Sequence, residues 1–169
     1  QTAFTIRDEA SGTDRSVSAQ YRLVTDEYFS CLKIPLFRGR FFEPADRMAQ
    51  ERIIIVDQEF VRRYVPDGEP LGKTIVHWET VKRIVGVVGN VKVFSLSDHD
   101  GPPMMYEPIH QRCGRGMTIL VRTGGDPMNL AAGVRQVLRD LDPDQPILRT
   151  QTMAQVLVEN TSTSRFCMV

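Results

Sequence analysis

The chain has 169 residues, 41% hydrophobic and 25% charged, enough to bury a core as one domain or two small lobes. Its 21 basic and 21 acidic side chains cancel to a formal net charge of zero, and no basic run is interleaved with aromatics. Such a surface offers no field to hold phosphate backbones or anionic lipid, which argues against nucleic acid as a partner.

The opening, to about Val17, is polar and turn-rich and reads as a loop or arm. Residues 19–24 alternate as a strand. Thr25 then stands as the cap of a short helix with Asp26 and Glu27 in its first turn and Tyr28, Phe29 and Leu32 on one face. Pro35 ends it, and residues 36–42 follow as an extended segment turning at Gly39. The β-branched run 52–56 predicts a strand buried on both faces. Asp57 caps the next helix, in which Phe60 and Tyr64 lie one turn apart, and Pro66-Asp67-Gly68 breaks it. Strands are expected over 74–78 and 81–88, with Gly86 and Gly89 marking a bulge or a close backbone approach. Residues 97–116 read as loop.

Met117 to Arg122 reads as a strand and Gly124-Gly125 as a turn. Asp126-Pro127 is a helix start, because Asp caps free N–H groups and the fixed φ of Pro suits the first turn. Leu130, Val134, Val137, Leu138 and Leu141 recur along one face of that helix, which Pro143 stops. Thr152 and Gln155 form a capping-box pattern opening a last helix. The order β-α-β, a mixed insertion, then β-α-β predicts an α+β fold: a split βαβ lobe carrying a smaller mixed lobe.

No run approaches the roughly 18 apolar residues of a membrane-spanning helix. The chain opens at Gln1 without a leader pattern and reads as a fragment or mature piece. Cys31, Cys113 and Cys167 are an odd, widely spaced set, read as incidental thiols, although one pair could form in an oxidising compartment.

Candidate chemistry is sparse. The stretch 68–74 has three residues between its glycines where a phosphate loop needs four, and it leads into a strand rather than a helix. Asp98-His99-Asp100 looks metal-like, but neighbouring positions on one chain rarely converge on an ion, and no HxxxH or HExxH spacing supports it. His77 beside Trp78 reads as packing or surface, and His110 as a loop residue. No GxSxG elbow or cysteine signature is present. No catalytic, cofactor-binding or metal-binding residue is therefore assigned.

Several stretches, in order, resemble one family. Tyr21 to Phe29 followed by Leu32-Lys33-Ile34-Pro35-Leu36-Phe37-Arg38-Gly39-Arg40-Phe41-Phe42 is similar to the opening of MacB-like periplasmic core domains. Thr25-Asp26-Glu27 replaces the Ser-Pro usual there. Ile53 to Tyr64, Pro70-Leu71-Gly72-Lys73, Ile84 to Val91, Met105 to Pro108, Met117 to Pro127 and Leu138 to Pro146 match further family segments. The segment from Met153 to Phe166 is similar to the stretch leading into a second transmembrane helix.

The resemblance implies an extracytoplasmic (periplasmic) domain of a MacB/FtsX-type ABC transporter permease, anchored by transmembrane helices outside this chain. It implies a porter-like lobe of residues 1–45 and 112–169, with an inserted mixed lobe of residues 46–111. The expected role is non-catalytic. ATP-driven helix motion would be coupled to export, lipoprotein release or partner proteins, with hinges near Pro44 and Gly114 to Gly116. Implied partners are an ATPase subunit or domain, a second permease copy and a periplasmic adaptor protein; the fragment itself is expected to be monomeric. An extracytoplasmic sensor or solute-binding module is the alternative. A hydrolase with an unfamiliar site and a docking module for an adaptor are the remaining readings.

Overall fold

A computed structural model describes residues 2–8, 13–66, 68–91, 101–112 and 116–166. Among the described residues, seven strands and four α-helices run in the order β1 (Thr2–Asp8), β2 (Thr13–Val24), α1 (Tyr28–Leu32), β3 (Leu36–Gly39), β4 (Ile53–Asp57), α2 (Gln58–Tyr64), β5 (Thr74–His77), β6 (Thr80–Val88), β7 (Met104–Pro108), α3 (Ala131–Leu141) and α4 (Met153–Phe166). Contacts divide the chain into two units, Gln1–Val93 with Asp98–Thr118, and Phe94–Ser97 with Ile119–Val169.

All seven strands belong to one sheet of the first unit, ordered β3-β6-β4-β7-β2-β1-β5. A further β5–β6 pairing, Thr74 opposite Arg83 through His77 opposite Thr80, closes six strands into a ring with β3 outside. The long β6 makes this closure: its first half pairs with β5 and its second half with β3, while β4 lies along its other edge.

Strand alternation then sorts the side chains. Phe4, Ile6, Ala19, Ile54, Val56, Ile75, Ile84 and Met105 form the core inside the ring, joined by Phe60 and Val65 from α2 and its end. Phe4 stacks on Phe60 at 5.3 Å between ring centroids. Ile53, Ile55, Val85, Met104 and Tyr106 point the other way and pack with Phe29 of α1 and Phe42. The run Ile53–Val56 is thus buried on both faces, as its unbroken β-branched character predicts.

Asp57 caps α2 through Phe60 N–H at 2.8 Å, and the same Oδ1 accepts from Met104 N–H at 3.1 Å. The cap therefore also pins β7. Gly39 has φ +73°, and a Cβ there would lie 2.1 Å from the Val85 carbonyl oxygen. Gly86 likewise lets the Arg40 carbonyl approach, next to the register shift between Ile54 and Ile55.

Several expectations change. The opening is a β-hairpin rather than an arm, because its alternating Phe4 and Ile6 supply ring core. Residues 104–108, read as loop, form a central strand with all five residues buried. Flanking prolines hid it, since Pro103 and Pro108 sit only at its ends. The cap of α1 falls on Glu27, not Thr25, and the helix ends at Lys33 in the left-handed conformation.

Strands from residues 1–45 and from residues 46–111 alternate within one sheet, a long-range pairing that local patterns do not encode.

In the second unit, Asp126 caps a short 3-10 turn, Pro127–Leu130, through Met128 N–H at 2.9 Å, and α3 follows. Thr152 and Gln155 make the reciprocal capping box that opens α4. Residues 117–122 are assigned to no strand among the described residues.

Candidate functional site

The ring has two differently finished ends. At one, α2 closes the interior with Phe60 and Val65. At the other, the inward positions of four strands turn polar: Tyr21 on β2, His77 on β5, Lys82 on β6 and Glu107 on β7.

Register explains why these four meet. Tyr21 lies opposite Met105, two residues before Glu107, and Ile75, two residues before His77, lies opposite Lys82. All four therefore share the inward face. Lys82 and Glu107 form an ion pair at 2.5 Å, each residue only 2% exposed. The Tyr21 hydroxyl donates to the same Glu107 Oε2.

His77 is 1% exposed. Its Nε2 sits 3.0 Å from Thr2 Oγ1, while Nδ1 has no hydrogen-bond partner among the described residues. Burial, reinforced by the Lys82 charge, pushes the imidazole down to about 4, so it is neutral at pH 7. Burial also lowers the Lys82 ammonium, against the pull of its Glu107 hydrogen bond, and burial raises the Tyr21 phenol.

Trp78, the only tryptophan, covers this end. It stacks on His77 at 3.8 Å, meets the Tyr21 edge at 5.1 Å, and carries the Arg112 guanidinium 3.5 Å from its ring centroid. The arrangement is suited to holding shape. Its one anion, Glu107, is bound to Lys82 and Tyr21, and its histidine is protonated only in acid. The described residues contain no group of His, Cys, Asp and Glu able to hold a metal ion.

A separate pocket of about 420 Å³ lies beside α2, lined by Phe37, Val61, Val87 and the polar Arg38, Gln58, Glu59, Arg62 and Asn90. Glu59 there is held well below the usual carboxylate range by its Arg62 hydrogen bonds, with Arg63 adding to the effect.

Of the residues weighed in the sequence, His77 is brought into the polar end, in a packing role, and His110 stays exposed in a 3-10 turn. Cys31 is half-buried on α1; His99, Cys113 and Cys167 lie outside the described residues. Pro44 opens a 3-10 turn tied down by Arg40, which grips Asp46 with two 2.8 Å bonds. Sequence reading missed the Lys82–Glu107 pair. Its signal was a charge at an inward-parity position within an otherwise apolar strand.

A model of the MacB-like periplasmic core domain family matches residues 2–137. The macrolide export ATP-binding/permease protein MacB of Agrobacterium fabrum is 25% identical over 150 residues, which is 81% of this chain and 22% of that protein. The same-named protein of Neisseria meningitidis serogroup A is 28% identical over 100 residues, 56% of this chain and 15% of that protein. The chain thus spans about a fifth of the length of these relatives.

Among solved structures, the periplasmic region of MacB from Actinobacillus actinomycetemcomitans aligns with TM-score 0.61 and 15% identity, covering 83% of this chain and 62% of that one. The extracellular domain of the ABC-type transporter YknZ from Gram-positive bacteria aligns with TM-score 0.55 and 18% identity, covering 85% and 73%. At such identities the likeness is one of fold, whereas the family match takes in all seven strands and α3 up to Val137. The chain belongs to the family of MacB-like periplasmic core domains.

Proposed function

We propose that this chain is the extracytoplasmic domain of an ABC transporter permease subunit and that it performs no chemistry itself. It receives ATP-driven motion from membrane helices of the same subunit and passes it on to exported substrate, released lipoprotein or a partner protein. The family match over residues 2–137 carries this reading. The rigid ring supports it, because a closed sheet with a packed interior transmits displacement without deforming.

The proposed partners are an ATPase subunit or domain, a second permease copy and a periplasmic adaptor. Anchoring by helices outside this chain, and a division into a porter-like lobe and an inserted mixed lobe, belong to the same proposal. The isolated chain is proposed to be monomeric.

The test is made in the full-length transporter, with residues 2–118 replaced by a flexible linker. ATP hydrolysis should persist while transport is lost. Transport that continues unchanged contradicts the reading. Transport that continues but no longer responds to an external solute favours the sensor alternative, for which the pocket beside α2 is of suitable size.

A further inference from the structure

Strand β3 carries an extra residue. Leu36 lies opposite Val88 and Arg38 opposite Val87, so two steps along β3 match one step along β6. Phe37 is thus the added residue of a β-bulge, which re-aims side chains at a sheet edge. In a regular strand Phe37 and Arg38 would face opposite sides of the sheet. Here both line the pocket beside α2.

Helix α2 and strand β6 supply the other walls. Gln58, Val61 and Arg62 stand at i, i+3 and i+4 and share one face of the helix. Val87, Val61 and Phe37 make up the apolar lining. Phe37 is 52% exposed, and its ring lies 3.5 Å from where a Cβ of Gly89 would stand. The ring is therefore seated on backbone yet open to an incoming apolar group.

The polar lining is rich in donors. Glu59 is buried, and its oxygens accept from Arg62 at 2.7 and 2.8 Å and from Arg63 Nε. That carboxylate is taken up in holding two guanidiniums. Asn90 Oδ1 accepts from Glu59 N–H at 3.0 Å, which leaves the Asn90 NH2 group to donate. Arg38 is exposed and meets Glu69 at 3.7 Å, too far for a hydrogen bond. Arg38, Arg62 and Arg63 against Glu59 and Glu69 leave one positive charge in excess.

A pocket of about 420 Å³ with an apolar wall and a few converging donors has the size and make-up of a small-molecule site. We propose that it binds a small apolar carboxylate, with the hydrocarbon body against Phe37, Val61 and Val87 and the head on Arg38 and the Asn90 amide. The site lies within the first unit and stands whether or not the domain drives transport.

Three probes of one chain length test it: octanoate, octanol and octylammonium, each kept below its micelle concentration and followed in amide NMR spectra of the purified chain. Octanoate should saturably shift the amides of Phe37, Val61, Val87 and Asn90. It should bind more tightly than octanol, and octylammonium should bind weakest. Added salt should weaken octanoate and leave octanol unaffected.

Arg38→Gln changes an exposed side chain and should weaken octanoate about three- to tenfold, between the values of an exposed ion pair and a buried charge-assisted hydrogen bond. Its affinity for octanol should stay as in the parent. Gln58→Glu, also at an exposed position, sets an anion on the same helix face and should weaken octanoate as well. Equal affinity for octanoate and octylammonium would overturn the proposal. So would parent-like octanoate binding by Arg38→Gln, or shifts that fall away from these four residues.

Discussion

Lys82 and Glu107 meet at 2.5 Å on the inward faces of β6 and β7, both side chains withdrawn from water, with the Tyr21 hydroxyl on the same carboxylate oxygen. Removing two charges from water costs several kcal/mol each, and their attraction returns that only while both remain. Glu107→Gln should therefore cost about 3–5 kcal/mol, because it strands the Lys82 ammonium. Lys82→Met with Glu107→Leu should cost much less than the two single changes summed. Urea midpoints of the three variants check this, and additive losses would contradict it.

His77 makes stability sensitive to acid. It titrates at about 4 in the fold and near 6.5 when unfolded, so between these values the unfolded chain binds more protons. This contribution is intact above pH 6.5 and is lost as pH falls towards 4. Between pH 7.5 and 5 the loss is about 2 kcal/mol. His77→Leu should flatten that slope in urea titrations.

Asp57 works in the opposite sense. Burial raises its carboxyl to about 6, so across the same range the folded chain binds the extra proton and gains about 1 kcal/mol by pH 5. Asp57→Asn should keep the helix cap and the Met104 bond, since both use one oxygen. It should therefore be neutral or stabilising at pH 7 and should steepen the acid loss due to His77. Asp57→Ala should cost about 1–2 kcal/mol at pH 7, by freeing two buried N–H groups, and about 1 kcal/mol more at pH 5, where the carboxyl's gain is also lost.

Gly39 and Gly86 set how closely β3 approaches β6. A Cβ at Gly39 would meet the Val85 carbonyl at 2.1 Å, and one at Gly86 the Arg40 carbonyl at 2.3 Å. Gly39→Ala carries the added strain of a left-handed φ and should cost about 2–3 kcal/mol. Gly72→Ala, with φ +81° but open space around it, should cost less. Thermal melts of the two alanine variants give the comparison.

Where a residue's role depends on its own neighbours in sequence, local pattern and structure agree. The run 53–56, the Asp57 cap, the Asp126-Pro127 start and the Thr152–Gln155 box all appear in place. Gly86, read as a bulge or close approach, sits where the register shifts and Arg40 comes near.

What depended on partners far along the chain was not legible. Phe4 and Ile6 look like part of a polar arm until β5 and β2 flank them. Residues 104–108 look like loop until β4 and β2 enclose them. The polar end of the ring was invisible for the same reason: four strands must close before Tyr21, His77, Lys82 and Glu107 share one interior. The ordered family resemblance supplied the family, which the match over residues 2–137 shows.

The most direct test of the account is the side of the membrane on which the ring lies. Glu79, exposed at the β5–β6 turn, is changed to cysteine in the full-length protein with the native cysteines replaced by serine. A membrane-impermeant maleimide is then added to cells stripped of their outer layers, before and after lysis. Labelling of Glu79→Cys without lysis is the result expected of an extracytoplasmic transporter domain; labelling that appears only after lysis would contradict it.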